Sequence, residues 1–219
     1  MLNIFYNKVK FRSLTLLKNF SRIIKMIGIT GVARSGKDTL YKLIEKKLAK
    51  ESISTKRFAL ADNLKKDLKE FILNKFNINL DSCTPEEKEI VRPIMVAYGK
   101  SKRKQTEGRY WINLLDSELS ISNIIPVVTD IRYDEYPRDE YFWLSKEKNG
   151  FLIHISRVHD GKIIPPANEE EYKNDKILSE KSNYKMIWCT ESNSEVLYST
   201  YEKNIIEIYE QYRRHIFNK

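Results

Sequence analysis

Apolar positions along the chain change period repeatedly, from continuous short runs to a spacing of three and four. Ile27-Gly28-Ile29-Thr30 is a short run ending at Gly31 and predicts a buried strand. From Asp38 to about Glu51, Leu40, Leu43, Ile44 and Leu48 fall on one helical face. A second helix is predicted near 63–76, with Leu64, Leu68, Phe71 and Ile72 as its stripe. Thr84-Pro85-Glu86-Glu87 predicts the start of a third, with a capping threonine, a proline at the first helical position and a reciprocal glutamate. Ile90, Val91, Ile94, Met95 and Tyr98 form its apolar face, and Pro93 is expected to kink or tighten it. Ile124-Ile125-Pro126-Val127-Val128 has the continuous hydrophobicity of a strand covered on both faces. Phe151 to Ile155 and Lys185 to Trp188 predict two more strands. A long helix at about 194–217 closes the chain, with Leu197, Tyr201, Ile205, Ile208 and Tyr212 in register. Strands alternating with helices imply βαβ units and a mostly parallel sheet.

Length and composition narrow this picture. A chain of 219 residues suffices for one α/β domain, whereas two would have thin cores. No apolar run approaches the ~20 residues needed to span a bilayer, so no membrane partner is expected. Cys83 and Cys189 lack metal-ligand spacing, which points to a reducing, cytoplasmic setting. The net charge of +9 is concentrated at one end. Residues 1–25 hold Lys8, Lys10, Arg12, Lys18, Arg22 and Lys25 and no acid, which accounts for six of the nine charges. Residues 26–219 are then about as basic as a protein that handles small polyanions. The first 25 residues read as a basic extension, dispensable to a domain spanning 26–219. They do not read as a secretory signal, because the basic residues interrupt any apolar stretch. A nucleic-acid partner is disfavoured, since the excess charge lies outside the predicted core.

One segment carries specific chemistry. Gly31-Val32-Ala33-Arg34-Ser35-Gly36-Lys37 fits G-x-x-x-x-G-K between a predicted strand and a predicted helix. Its two glycines let the backbone wrap with N–H groups pointing inward at a helix N-terminus, a ready anion site. Lys37 adds a mobile positive charge for β- and γ-phosphates. The next position, usually serine or threonine for magnesium, is Asp38, followed by Thr39. A carboxylate is a hard oxygen ligand suited to magnesium; Asp38 could equally cap the helix. Beyond the strand at 124–128, Thr129-Asp130-Ile131-Arg132 places an acid and a base at the strand edge where ligands of open parallel sheets sit. Asp130 would serve magnesium and Arg132 would meet a phosphate bidentately; the bland alternative is a surface ion pair.

These residues together resemble phage-type deoxynucleoside monophosphate kinases. Gly31 to Thr39 is similar to their glycine loop, aspartate included. Phe58 to Lys65 resembles their segment ending in a lysine on the second helix. Arg92 with Gly99 resembles their substrate-phosphate helix, Trp111 a tryptophan beside the base, and Thr129 to Arg132 their strand-end Asp-x-Arg. Thr190 to Ser194 resembles the loop that holds adenine. The likeness spans about 27–215. It implies a P-loop NTPase or nucleotide kinase-like fold, a three-layer sandwich with a mostly parallel central sheet. It also implies an enzyme that uses ATP and magnesium to phosphorylate (deoxy)nucleoside monophosphates.

On that resemblance Lys37, Arg132 and Asp130 are catalytic. Gly31, Arg34, Ser35, Gly36, Lys37, Asp38, Thr39 and Thr190 hold the donor nucleotide. Lys65, Arg92, Gly99, Lys100, Trp111 and Arg132 hold the substrate, and Asp38 and Asp130 the metal. A homodimer is compatible with it. Three positions depart from the family, all on the substrate side: Val96 replaces a glutamine, Lys100 a threonine, and Tyr136 a glutamate.

Animal-type phosphomevalonate kinases share much of the pattern, including Gly99-Lys100-Ser101-Lys102-Arg103, so a small-molecule phosphate kinase is the alternative; Tyr110-Trp111 tips the balance towards a base. The basic stretch from Lys100 to Arg109 reads as a phosphate-clamping or solvated loop, and Arg157 as a candidate lid arginine. Asn168 to Asp175 reads as an acidic helix start facing solvent, and Trp111 could be a core residue. His154 reads as strand packing.

Overall fold

A computed structural model describes residues 26–119, 124–189 and 193–217. The first strand β1 (Ile27–Thr30) leads into helix α1 (Lys37–Lys50), followed by β2 (Thr55–Phe58) and α2 (Leu60–Phe76). Two helices come next, α3 (Pro85–Gln105) and α4 (Arg109–Glu118), then β3 (Ile125–Val128) and a short α5 (Glu140–Phe142) that widens into a π-turn over Trp143–Glu147. The remainder is β4 (Phe151–His159), β5 (Lys162–Ile163), α6 (Glu169–Lys181), β6 (Tyr184–Cys189) and α7 (Ser194–Phe217).

The chain is α/β with a mixed six-stranded sheet. Five strands run parallel in the order β2-β3-β1-β4-β6, and the two-residue β5 pairs antiparallel with the far end of β4. Side-chain alternation sorts the core into two faces. Ile27, Ile29, Phe151, Ile153 and Ile155 point to one side, where Leu40, Leu43 and Ile44 of α1 and Ile205, Ile208 and Tyr212 of α7 cover them. Val128 and Leu152 point to the other side, against Trp111, Ile112 and Leu115 of α4 and Trp143 and Leu144 of α5. Helices on both faces explain why β1, β3 and most of β4 are apolar throughout. A third cluster, Leu68, Ile72, Ile78, Leu80 and Val91, ties α2 to α3 away from the sheet.

Thr84 caps α3 in the predicted reciprocal arrangement with Glu87, and the helix runs on through Pro93. The stripes of α2 and α3 are only partly buried: Phe71 and Ile90, expected in the core, are exposed, because both helices project beyond the sheet. β2, Thr-Lys-Arg-Phe, escapes a reading by hydrophobicity because it is an edge strand with only Phe58 buried. Residues 100–105, expected as a loop, are the last turns of α3.

The order of strands sets the position of the site. β1 lies between β3 and β4, and the chain leaves it towards β2 on one side and later returns on the other. The crevice at the carboxyl ends of β1 and β3 is where such sheets bind ligands. No helix among the described residues is long and apolar enough to cross a membrane.

Ile205 is buried at the centre of the α7 contact with the sheet. Ile205→Ala is expected to lower unfolding stability by about 2–5 kcal/mol in urea titration. A loss under about 1 kcal/mol would show that α7 does not seal this face.

Candidate functional site

The turn from β1 into α1 is built around backbone that side chains resist. Gly31 and Gly36 have φ of 141° and 88°, and Arg34 between them has φ of 64°. A Cβ on Gly31 would stand 2.3 Å from the Ile155 carbonyl oxygen of β4, so only glycine lets the loop pass there. From the sheet, Trp188 of β6 donates its indole N–H to the Ser35 carbonyl at 2.9 Å. Ser35 is itself fully buried.

Lys37 folds back over this loop. Its ammonium donates to the carbonyls of Gly31 and Val32, each at 2.7 Å, with Ser35 Oγ at 3.4 Å. Burial first, then the charge of Arg132, lower its pKa to about 8 against the opposing pull of Asp130, Glu171 and Asp38. Thr39 is half-buried in the first turn of α1 and Arg34 is exposed on the rim. Asp38 does not cap α1, whose N-cap is Gly36. Its Oδ1 instead receives Arg57 Nε at 2.6 Å and the Thr129 hydroxyl at 3.3 Å. Arg57 also bonds Asp62, which in turn pairs with Lys65. Lys65 therefore belongs to an ion-pair chain that runs through Asp62 and Arg57 to Asp38, and it does not line the chamber beside Arg92 and Arg132.

Asp130 sits against the start of α2. Its two oxygens accept the amides of Leu60 and Ala61 at 2.8 and 2.9 Å, closing the open N-terminus of α2 from a neighbouring strand. Burial pushes its pKa up. The Asp130 carboxylate anchors α2 through two amides and, 8% exposed, still lines a chamber with Arg132, whereas the Asp38 carboxylate is exposed. Among the described residues no group of three or more His, Cys, Asp or Glu is arranged to hold a metal ion.

Two adjoining chambers open at this edge. One, of about 210 Å3, has an apolar wall of Leu64, Met95, Val96 and Trp111, with Arg92 and Arg132 among its cations. The other, of about 170 Å3, lies between Gly31, Ala33 and α6. Arg92, Val96, Lys100, Arg132 and Tyr133 line both. A separate cavity of about 200 Å3 near Met26 and Pro126 lies at the amino ends of the strands, the wrong edge for a ligand of such a sheet. Gly99 is a packing glycine: a Cβ there would meet Leu64 at 2.7 Å, and its carbonyl accepts the Trp111 indole N–H at 3.3 Å. Trp111 is thus buried core, braced by the rings of Tyr98 and Tyr110, and also wall of the chamber. Thr190 lies outside the described residues.

Four features escaped sequence reasoning. Arg103, expected in a basic loop, is buried in α3. It pairs bidentately with Asp139 at 2.8 and 2.9 Å and with Glu140 at 3.1 Å, while its guanidinium lies 3.7 Å from the Tyr133 ring centre. Its helical register with Val91 and Gly99, the other buried positions of α3, was the available signal. Glu140 accepts the Arg132 and Tyr133 amides at 2.6 and 3.1 Å and so shapes the turn that presents Arg132. Burial works against the charge of Arg103, but Asp139 and Glu140 outweigh it and its pKa rises. For Glu140 burial wins over the attraction of Arg103, and its pKa rises to about 8.

The acidic start of α6 also faces inward, contrary to expectation. Glu171 accepts the Ala33 amide at 2.8 Å, Glu170 pairs with Lys100, and Asp175 pairs with His154 at 3.0 Å. Arg57 was overlooked because edge strand β2 went unread. Arg157, the candidate lid arginine, donates to the Arg34 carbonyl at 3.4 Å.

Removing Arg103 would leave two buried carboxylates without their cation. Arg103→Met is expected to cost about 3–5 kcal/mol at neutral pH. A carboxylate with a raised folded pKa holds a proton that the unfolded chain releases above its ordinary value, so its contribution falls as pH rises towards 8. The gap between variant and parent should widen as pH rises above ~8, where Glu140 ionises in the parent but keeps its proton in the variant. A gap that does not change with pH in denaturant titrations would contradict the assigned pairing.

No protein-family model matches the chain, and no curated protein matches it significantly. The functional reading rests on this chain's own residues.

Proposed function

We propose that the chain is a P-loop kinase that transfers the γ-phosphoryl group of ATP to the phosphate of a nucleoside monophosphate, deoxynucleotides included. The observation that carries this reading is the placement of Lys37. It lies folded on a glycine-shaped loop at the carboxyl end of β1, beside a chamber into which Arg92 and Arg132 converge. Amides of the loop and the start of α1 would receive the donor phosphates, with Lys37 swinging from its carbonyls to the β- and γ-oxygens. Arg92 and Arg132 would hold the acceptor phosphate in line, and offset charge as it spreads over the transferring group. The bond from the γ-phosphorus to its bridging oxygen breaks, a bond from the acceptor phosphate oxygen forms, and ADP leaves. The acceptor is already an anion at neutral pH, so no general base is needed.

Magnesium, where bound with the donor, would be held on the protein side by Asp38 and would neutralise charge between the β- and γ-phosphates. Asp130 acts indirectly, by fixing α2 and with it the wall that Leu60, Ala61 and Leu64 give the acceptor chamber. The apolar wall favours an acceptor with a flat or greasy body. Because the Trp111 ring is packed into the core, phosphomevalonate stands as the second acceptor to test.

ATP-dependent phosphorylation of a panel of ribo- and deoxynucleoside monophosphates, with phosphomevalonate included, is the direct assay. Turnover of one or more deoxynucleotides is expected; turnover of phosphomevalonate alone would replace the acceptor, and no turnover of any would remove the reading. Lys37→Ala should cost at least about 10³-fold in kcat/KM while the fold survives. Near-parental rates would show that the loop does not hold the donor.

The depressed pKa of Lys37 adds a pH signature. Polyphosphate restores the proton that burial and Arg132 disfavour, so binding takes up a proton as pH passes about 8. Calorimetric affinity for ATP should therefore weaken between pH ~7 and ~9.5; constant affinity would mean that Lys37 does not meet the nucleotide.

A further inference from the structure

Resting on the reading above, we propose that helix α6 carries a built-in competitor of the donor phosphates, the Glu171 carboxylate, which takes the Ala33 amide of the 31–37 loop and must leave before a polyphosphate binds. Glu171 Oε1 accepts the Ala33 N–H at 2.8 Å and stands 3.8 Å from Arg132 Nη1. The same carboxylate thus touches the loop that would hold the donor and a cation that would meet the acceptor. Its placement is built. Asn168 Oδ1 accepts the Glu171 amide at 2.9 Å, and Glu171 Oε2 accepts the Ala167 amide at 2.6 Å. One residue earlier, Glu170 pairs with Lys100, which lines both chambers. Two successive acids therefore engage an amide and two cations of the cleft.

A carboxylate and a terminal phosphate draw on the same donors, N–H groups and guanidinium, and cannot share them. In the helix that brings the carboxylates only Asn174 and Leu178 are buried, and its other ties to the domain are polar ones such as Asp175 to His154 and Asn174 to Glu135. Few apolar contacts hold it down, which places its release at the low end of local opening energies. The plugged state then lowers apparent affinity by the fraction of molecules in which the Ala33 amide is free. Its removal on donor binding carries Glu170 away from Lys100 and frees that side chain for the transferring phosphates.

Inorganic tripolyphosphate, titrated calorimetrically into the full chain, tests this without a turnover assay. Glu171→Ala should bind about tenfold more tightly than the parent. Glu171→Gln, which keeps an acceptor for Ala33 and loses the charge, should fall between the two. Glu169→Ala removes the same charge from the same turn, where the side chain is exposed, and should stay within about twofold of the parent. Thermal melts confirm that each variant is folded.

If Glu171→Ala and Glu169→Ala bind alike while Lys37→Ala abolishes parental binding, the competitor is overturned and the loop reading stands. If neither the parent nor Glu171→Ala binds tripolyphosphate, the loop reading fails and the competitor falls with it.

Discussion

Everything at this edge of the sheet depends on how closely the 31–36 loop can lie against β4. The loop must turn a buried strand into a helix within six residues and keep its amides directed inward. That path brings Gly31 so near the Ile155 carbonyl that a methyl group has no room. β6 then pins the far side of the turn through the Trp188 indole on the Ser35 carbonyl. Because β4 and β6 pair along six residues in register, the loop is braced by two adjacent strands and not by its own residues alone. A side chain at position 31 would push the turn off β4, and would disturb the Lys37 contacts with Gly31 and Val32 in the same movement.

The second constraint is electrostatic. Lys37, Arg92, Lys100, Arg103 and Arg132 all gather near the carboxyl ends of the strands, and a cluster of that sign repels itself. The fold answers with internal carboxylates of graded burial. Asp139 and Glu140 neutralise Arg103 in the core. Asp130 turns its charge towards the positive end of α2 and also favours the protonated form of Lys37. Glu89 spans Arg92 at 2.7 Å and Arg34 at 3.5 Å on the outside. Buried pairs of this kind are costly to break and rigid, whereas the exposed ones contribute little to stability and exchange easily. The gradient separates scaffold from machinery: Arg103 holds α3 to the turn after β3, and Arg92 and Arg132 keep the freedom to change partners.

Much of this was legible in the sequence, for identifiable reasons. Strands buried on both faces write continuous apolar runs, so β1, β3 and most of β4 could be read directly, and α1 and α7 show a single stripe because each covers one face of the sheet. The 31–37 loop was legible because its glycines mark a tight turn from strand to helix within seven residues. Where a residue's role depends on a distant partner, local pattern was silent. Asp130 read as a metal ligand because its strand-end position is visible, while the α2 amides it closes come from a segment 70 residues away. Arg103 read as part of a basic loop because Asp139 and Glu140, which draw it inside, lie across the fold. The acids at 169–171 read as solvent-facing, since nothing within the helix reveals that its first turn faces the loop.

These observations meet in the state of the cleft itself. Arg34 and Arg92 share Glu89, Lys100 takes Glu170, and Ala33 and Arg132 share Glu171. Each of these groups is held by a carboxylate of the same chain, on α3 or on α6. Such internal pairing lets a concentrated positive site persist in water without self-repulsion, and it fixes the geometry before any ligand arrives. It also means that ligand charge displaces existing partners instead of filling empty contacts, so part of its binding energy goes into exchange. Selectivity follows from that exchange. A ligand with one or two negative charges can satisfy only some of the released cations, whereas a polyphosphate facing an acceptor phosphate can satisfy them all at once.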